Sequence, residues 1–135
     1  MGQYHFLANL DKGEIVHPHG LGLGLKQYEH TGCEGSLADA MYLLVMTSPA
    51  RGGGDWPESE LSGRWVGDRV VILGDYTDDT DLLTESNAGG LYNHLSENGK
   101  DITAGVAEAL GRVWNFTVEG TGWATRRVSN TEINA

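Results

Sequence analysis

Val70-Val71-Ile72-Leu73 is the most apolar β-branched run in the sequence, and it constrains the fold more than any other stretch. Branching at Cβ favours a pleated strand over a helix. Val71 and Leu73 alternate with Val70 and Ile72, so both sides of such a strand are apolar, as in a strand covered on both faces. The expectation is that residues 69–75 form the central strand of a sheet. Gly67-Asp68 suits a two-residue hairpin turn, which would pair residues 64–66 with 69–71.

The other elements must cover that strand. Residues 3–10 alternate, with Tyr4, Phe6 and Ala8 on one side and His5 and Leu7 on the other. Turn residues at 9–13 then lead to a return strand at 14–17, stopped by Pro18, which cannot donate to a ladder. Residues 20–25 alternate leucine with glycine; glycine weakens helix and strand alike, so a loop or short strand is expected. Residues 36–47 read as a helix, with Ser36 as cap, an apolar stripe of Leu37, Met41, Leu44 and Val45, and Pro49 as terminator. A second helix is expected at 101–111, capped by Thr103 and stopped by Gly111. Residues 82–100 read as a surface loop with one helical turn at 91–95. Residues 113–118 alternate as a strand, and 123–128 suit an edge strand.

Strands and helices mix without a βαβ rhythm. That predicts one α+β domain over residues 1–128, with a polar tail at 129–135. A mostly antiparallel sheet of about four to six strands, with two helices packed on it, follows. The 20 glycines require many turns and short elements within that plan.

Nineteen acidic against nine basic residues give a net charge of −10, which repels phosphate backbones. Arg126-Arg127 is the only adjacent basic pair, so no nucleic-acid partner is expected. No apolar run approaches the roughly 18 residues of a membrane helix, and no secretory signal is visible at the N-terminus. The single cysteine, Cys33, fits a reducing compartment, and a cytoplasmic location is expected.

Four constellations could carry chemistry. His17-Pro18-His19 and His30-Thr31-Gly32-Cys33 bring four zinc-type ligands close in sequence, although the spacing is not a specific zinc signature. Solvated loop histidines are the plainer reading, so no cofactor is expected other than this zinc candidate. Asp75, Asp78, Asp79 and Asp81 fail as an EF-hand loop, because Thr80 stands where glycine is needed and Ser86 where a bidentate glutamate is needed. They read as a solvated turn. Arg51-Gly52-Gly53-Gly54 could offer backbone N–H groups to an anion, but a plain loop explains it as well. No nucleophile motif is present, and enzymatic activity is not the leading expectation.

Trp56 and Trp123 sit in loops, where tryptophan often anchors an interface; with Arg51, Asp55 and Asp75 they form the interaction candidates. The leading expectation is a small acidic binding protein that engages a protein partner. The alternative is a metal-binding domain or metal-dependent enzyme using His17 and His19 with nearby Cys, His or Asp residues. The two differ in whether residues 15–19, 51–55 and 75–81 meet at one cleft.

Met1-Gly2-Gln3-Tyr4, Asn9-Leu10-Asp11-Lys12, His17-Pro18-His19, Arg51-Gly52-Gly53-Gly54-Asp55 and Trp65-x-Gly67-Asp68-Arg69-Val70-Val71-x-x-Gly74-Asp75-Tyr76 carry a resemblance over residues 1–110. With these motifs the chain resembles a family of small uncharacterised proteins of actinobacteria, their phages and some other bacteria. The resemblance implies an intracellular bacterial or phage-encoded setting. It brings no activity, cofactor or catalytic residue.

Overall fold

The computed structural model describes residues 3–82 and 88–130. They form a mixed α+β fold, as expected. A four-stranded sheet has the order β3-β1-β2-β4, where β1 is His5–Asn9, β2 Glu14–Val16, β3 Val70–Gly74 and β4 Lys100–Asp101. β1 pairs antiparallel with both β2 and β3; the short β2–β4 pairing is parallel. The helices α1 (Leu37–Val45), α2 (Leu91–Asn98) and α3 (Thr103–Trp114) precede a hairpin of β5 (Phe116–Glu119) and β6 (Arg126–Ser129).

The sheet is covered on both faces by different elements. Leu7 and Val16 face α1 and α3, in a core with Leu44, Val106 and Leu110. Phe6, Ala8, Ile15 and Leu73 face the other way, onto Leu95 of α2. The one-residue alternation of β1 thus feeds two separate cores.

Val70–Gly74 is not the central strand. It lies at the sheet edge, paired with β1 alone, and Ile72 is 41% exposed. β1 holds the interior position instead. A β-branched run reports that a strand's side chains face apolar surroundings; it does not report how many neighbours its backbone has. The predicted hairpin at Gly67-Asp68 is also absent. Residues 64–66 follow a chain of turns in which Gly63 N donates to Leu43 O (3.0 Å) and Trp65 N to Leu44 O (2.8 Å). These bonds satisfy carbonyls that the end of α1 leaves unpaired, so the stretch caps a helix rather than extending a sheet.

Trp65 is fully buried, and its indole N–H donates to Glu14 Oε1 at 2.8 Å. Arg64 holds the same carboxylate through Nε (2.9 Å) and Nη2 (2.5 Å). This pins the approach to β3 against β2.

Ser36 Oγ accepts from Asp39 N (3.1 Å), the cap the sequence predicted. The buried face of α1 is Leu37, Ala40, Leu43 and Leu44, while Met41 and Val45 of the predicted stripe point outward. The apolar residues of α1 permit two phases, and packing selects the one that includes Ala40. The single helical turn expected at 91–95 is a longer helix, α2, whose few apolar residues all face the smaller core. Gly111 does not stop α3. It is buried within the helix, where a Cβ would fall 2.2 Å from Phe116 O, and Asn115 ends the helix at φ +60°.

Arg127 ties the hairpin to the rest. Its guanidinium donates to Leu21 O (2.6 Å), Glu34 O and Gly35 O, and lies 4.3 Å from the Phe116 ring centre. Arg126 pairs instead with Glu119, so the two adjacent arginines do different work. No helix of the described residues is long and apolar enough to cross a membrane. Of the predicted tail, residues 131–135 lie outside the described residues.

Candidate functional site

Four of the five histidines come together. His5 projects from β1, His17 follows β2, and His19 and His30 lie in 3-10 turns at His19–Leu21 and Gln27–His30. The His17 ring meets the Phe6 ring edge-on at 5.2 Å and lies 6.3 Å from His19, nearly parallel to it. Burial lowers the His19 pKa, and the charges of His17 and His30 lower it further. Burial also lowers His5, with His30 adding to the effect and Asp75 opposing it.

His30 is only 3% exposed. Its Nε2 lies 2.9 Å from Gly24 O, which can only accept, so that nitrogen carries the proton. Nδ1 is buried and makes no hydrogen bond.

Of the zinc candidates, His17, His19 and His30 therefore share one region. Cys33 is apart: it is exposed and within electrostatic range of Arg127. Among the described residues, no three His, Cys, Asp or Glu side chains are arranged to hold a metal ion.

The acids of the turn are held by backbone N–H groups, two within the turn and two outside it. Asp75 Oδ1 accepts from Tyr4 N (3.0 Å), Asp78 Oδ1 from Thr80 N (2.9 Å), Asp81 Oδ2 from Asp78 N (2.9 Å) and Asp79 Oδ1 from Gly89 N (2.9 Å). The Thr80 hydroxyl and amide hold Asp78 below the usual carboxylate range. No described lysine or arginine pairs with these four acids.

Arg51 and Asp55 belong to a closed loop. Asp55 Oδ2 accepts from Arg51 N (3.0 Å) and Gly52 N (2.8 Å), which turns those donors inward, away from any anion. Trp56 is half-buried and packs on Tyr42 at 5.3 Å, at the rim of the larger core. Trp123 falls in the turn Gly122–Ala124, and its side chain lies outside what is described. The convergence is thus partial. Asp75 meets the histidine region at His5, whereas the Arg51–Asp55 loop bonds only to itself.

One concavity was not anticipated from sequence. It runs beside β3. One cavity of about 240 Å³ is walled by Leu37 and Met41 of α1, Ile72 of β3, and Gln27 and His30. A second, of about 520 Å³, shares Gln27 and is lined by Tyr4, His5, Leu25 and Tyr28. Met41 is 36% exposed, and Leu25, Tyr4 and Tyr28 are exposed as well.

The backbone register shows what β3 offers to this groove. Leu10 N donates to Arg69 O (2.8 Å), and Asp75 N donates to Tyr4 O (3.0 Å). In an antiparallel ladder the bonding side alternates, so Arg69, Val71, Leu73 and Asp75 face β1. Val70, Ile72 and Gly74 face outward. Gly74 is already satisfied, donating to Thr77 Oγ1 (3.1 Å) and accepting from Thr77 N (3.1 Å). Val70 and Ile72 keep free backbone groups on the outer edge, with no described strand beyond them. Sequence held one signal for this groove: Met41 and Ile72 are large apolar residues at positions where a second phase or register leaves them uncovered.

Comparison with protein-family models, with curated proteins and with solved structures gave no significant match.

Proposed function

We propose that this chain is a small binding module that engages a segment of a protein partner in the groove beside β3. One observation carries the reading. A largely apolar cavity opens directly next to an edge strand whose outward N–H and C=O groups at Val70 and Ile72 are unused among the described residues. Edge strands are normally blunted, and an open one beside exposed apolar side chains is a template for another chain.

A protein partner rather than nucleic acid follows from the net charge of −10. The exposed, unpaired Cys33 agrees with a cytoplasmic location. The bacterial or phage setting rests on the resemblance of the N-terminal and Trp65–Tyr76 motifs, and a host protein as partner rests on the small size and acidic balance of the chain. The metal-dependent alternative is supported by the gathered histidines, but no three His, Cys, Asp or Glu side chains among the described residues are arranged to hold a metal ion.

Selection of a random peptide library on the purified chain tests the reading, with Met41→Glu as the counter-target. Met41 is exposed on α1, so the charge should block the groove without unfolding the helix. The expected outcome is enriched peptides that bind the wild type and not Met41→Glu. Absence of enrichment, or equal binding to both, would overturn the proposal.

A further inference from the structure

We infer that the occupant of this groove is an extended peptide that adds to the outer edge of β3 as an antiparallel strand, with one large apolar side chain in the cavity beside Ile72 and basic residues N-terminal to it. This rests on the groove being a binding site, and it specifies what the site takes.

The strand geometry comes from the register. A residue placed opposite Ile72 exchanges both backbone hydrogen bonds with it. Its side chain then lies on the same face as that of Ile72, over the cavity walled by Leu37, Met41 and His30. Leu37, Ala38, Met41 and Ile72 make one side of that wall apolar, against Gln27, His30 and Thr31 on the other, which suits an aliphatic or aromatic anchor. The closure of Gly74 by Thr77 ends the ladder there, so hydrogen bonding is confined to Val70 and Ile72.

The charge preference comes from the far end of the strand. In an antiparallel addition, residues N-terminal to the anchor run past Gly74 toward Asp75. There Asp75 Oδ1 accepts from Tyr4 N, and the neighbouring cavity is lined by Tyr4 and Tyr28 with a single cation, Lys26. Asp78, Asp79 and Asp81 follow, all without a basic partner among the described residues. Four carboxylates outnumber that one lysine, and together with the tyrosine faces they favour lysine or arginine.

At the other end of β3 the charges are already matched, Arg69 with Asp11 and Lys12 with Asp68. A second copy of this chain is the competing occupant. It would bring another net charge of −10 to the same edge, which charge complementarity disfavours.

The test uses an acetylated, fluorescein-labelled heptapeptide, Arg-Lys-Val-Phe-Val-Thr-Ser, with three controls. One carries Glu-Glu in place of Arg-Lys, one is N-methylated at the Phe amide, and one has Ala for Phe. Binding is read by fluorescence anisotropy, and the site by amide shifts and exchange protection at Val70 and Ile72. The expected result is saturable binding weakened about tenfold or more by each control, with the Ile72 amide protected only in the complex.

If library peptides bind the groove but are neutral or acidic, or tolerate N-methylation, the groove reading stands and this inference fails. If no peptide distinguishes wild type from Met41→Glu, both fail. If sedimentation instead shows a dimer that Ile72→Thr abolishes, the occupant is a second copy and the inference is overturned. The unfolding temperature of each variant, measured alongside, separates lost binding from lost folding.

Discussion

Glu14 shows how one residue joins parts far apart in sequence. It is 2% exposed on β2, yet its carboxylate accepts from the Arg64 guanidinium and the Trp65 indole. Removing it leaves a buried indole N–H unpaired and frees a guanidinium that still reaches water. Glu14→Ala is therefore expected to cost about 2–3 kcal/mol, and Glu14→Gln less, because the amide oxygen still accepts from Trp65. Urea unfolding followed by tryptophan fluorescence measures both, and equal losses would refute the role given to the indole. The Arg64 hydrogen bonds hold the Glu14 pKa below its ordinary 4.5. Its contribution is present above that value and is lost as pH falls through the lower folded-state value. His5 and His19 act in a higher window. Burial lowers both from 6.5, so below that pH the unfolded chain takes up protons first and stability declines. Melting temperature against pH should show a first decline starting near pH 6.5 and a second below 4.5. The first should flatten in a His5→Gln, His19→Gln double variant; an unchanged profile would rule out these two rings as its source.

Among the elements, β3 separates what a sequence can convey from what it cannot. The β1–β2 hairpin was legible, because alternation and turn chemistry at Asn9–Gly13 are local. The Ser36 cap was legible for the same reason. The edge position of β3 was not, since its second neighbour depends on where β1, β2 and β4 settle. α2 was obscured by its polar composition, its burial resting mainly on Leu95. The groove was harder still to read: beyond the large apolar residues Met41 and Ile72, its lining of Gln27, His30, Met41 and Ile72 comes from three separate stretches, and no spacing rule connects them. The edge assignment makes a sharp comparison. Leu73 is fully buried, whereas Ile72 is 41% exposed. Leu73→Ala should cost about 2–5 kcal/mol, while Ile72→Lys should cost under about 1 kcal/mol. A large loss from Ile72→Lys in thermal unfolding would mean that β3 is covered on that side.

For the whole molecule the charge balance matters most. Lys12, Arg64, Arg69, Arg112 and Arg126 each pair with a carboxylate, and Arg127 is taken up by backbone carbonyls. The surplus negative charge is left to act at a distance. Association of the basic peptide should therefore be steered by the field of the molecule. Its on-rate should fall by about tenfold between low salt and about 0.3 M, with a much smaller change in off-rate. Stopped-flow mixing reads both rates; a salt-independent on-rate would remove electrostatics from the account.

Thr77 has a wider consequence. By occupying both backbone groups of Gly74, it leaves an open edge only two residues long. An edge that short accepts one brief strand but gives little purchase to the repeated, in-register stacking from which fibrils grow. The same closure that frames the groove therefore also guards the chain's colloidal life. Thr77→Val, which frees the Gly74 N–H, should scatter more light on prolonged incubation than the native chain.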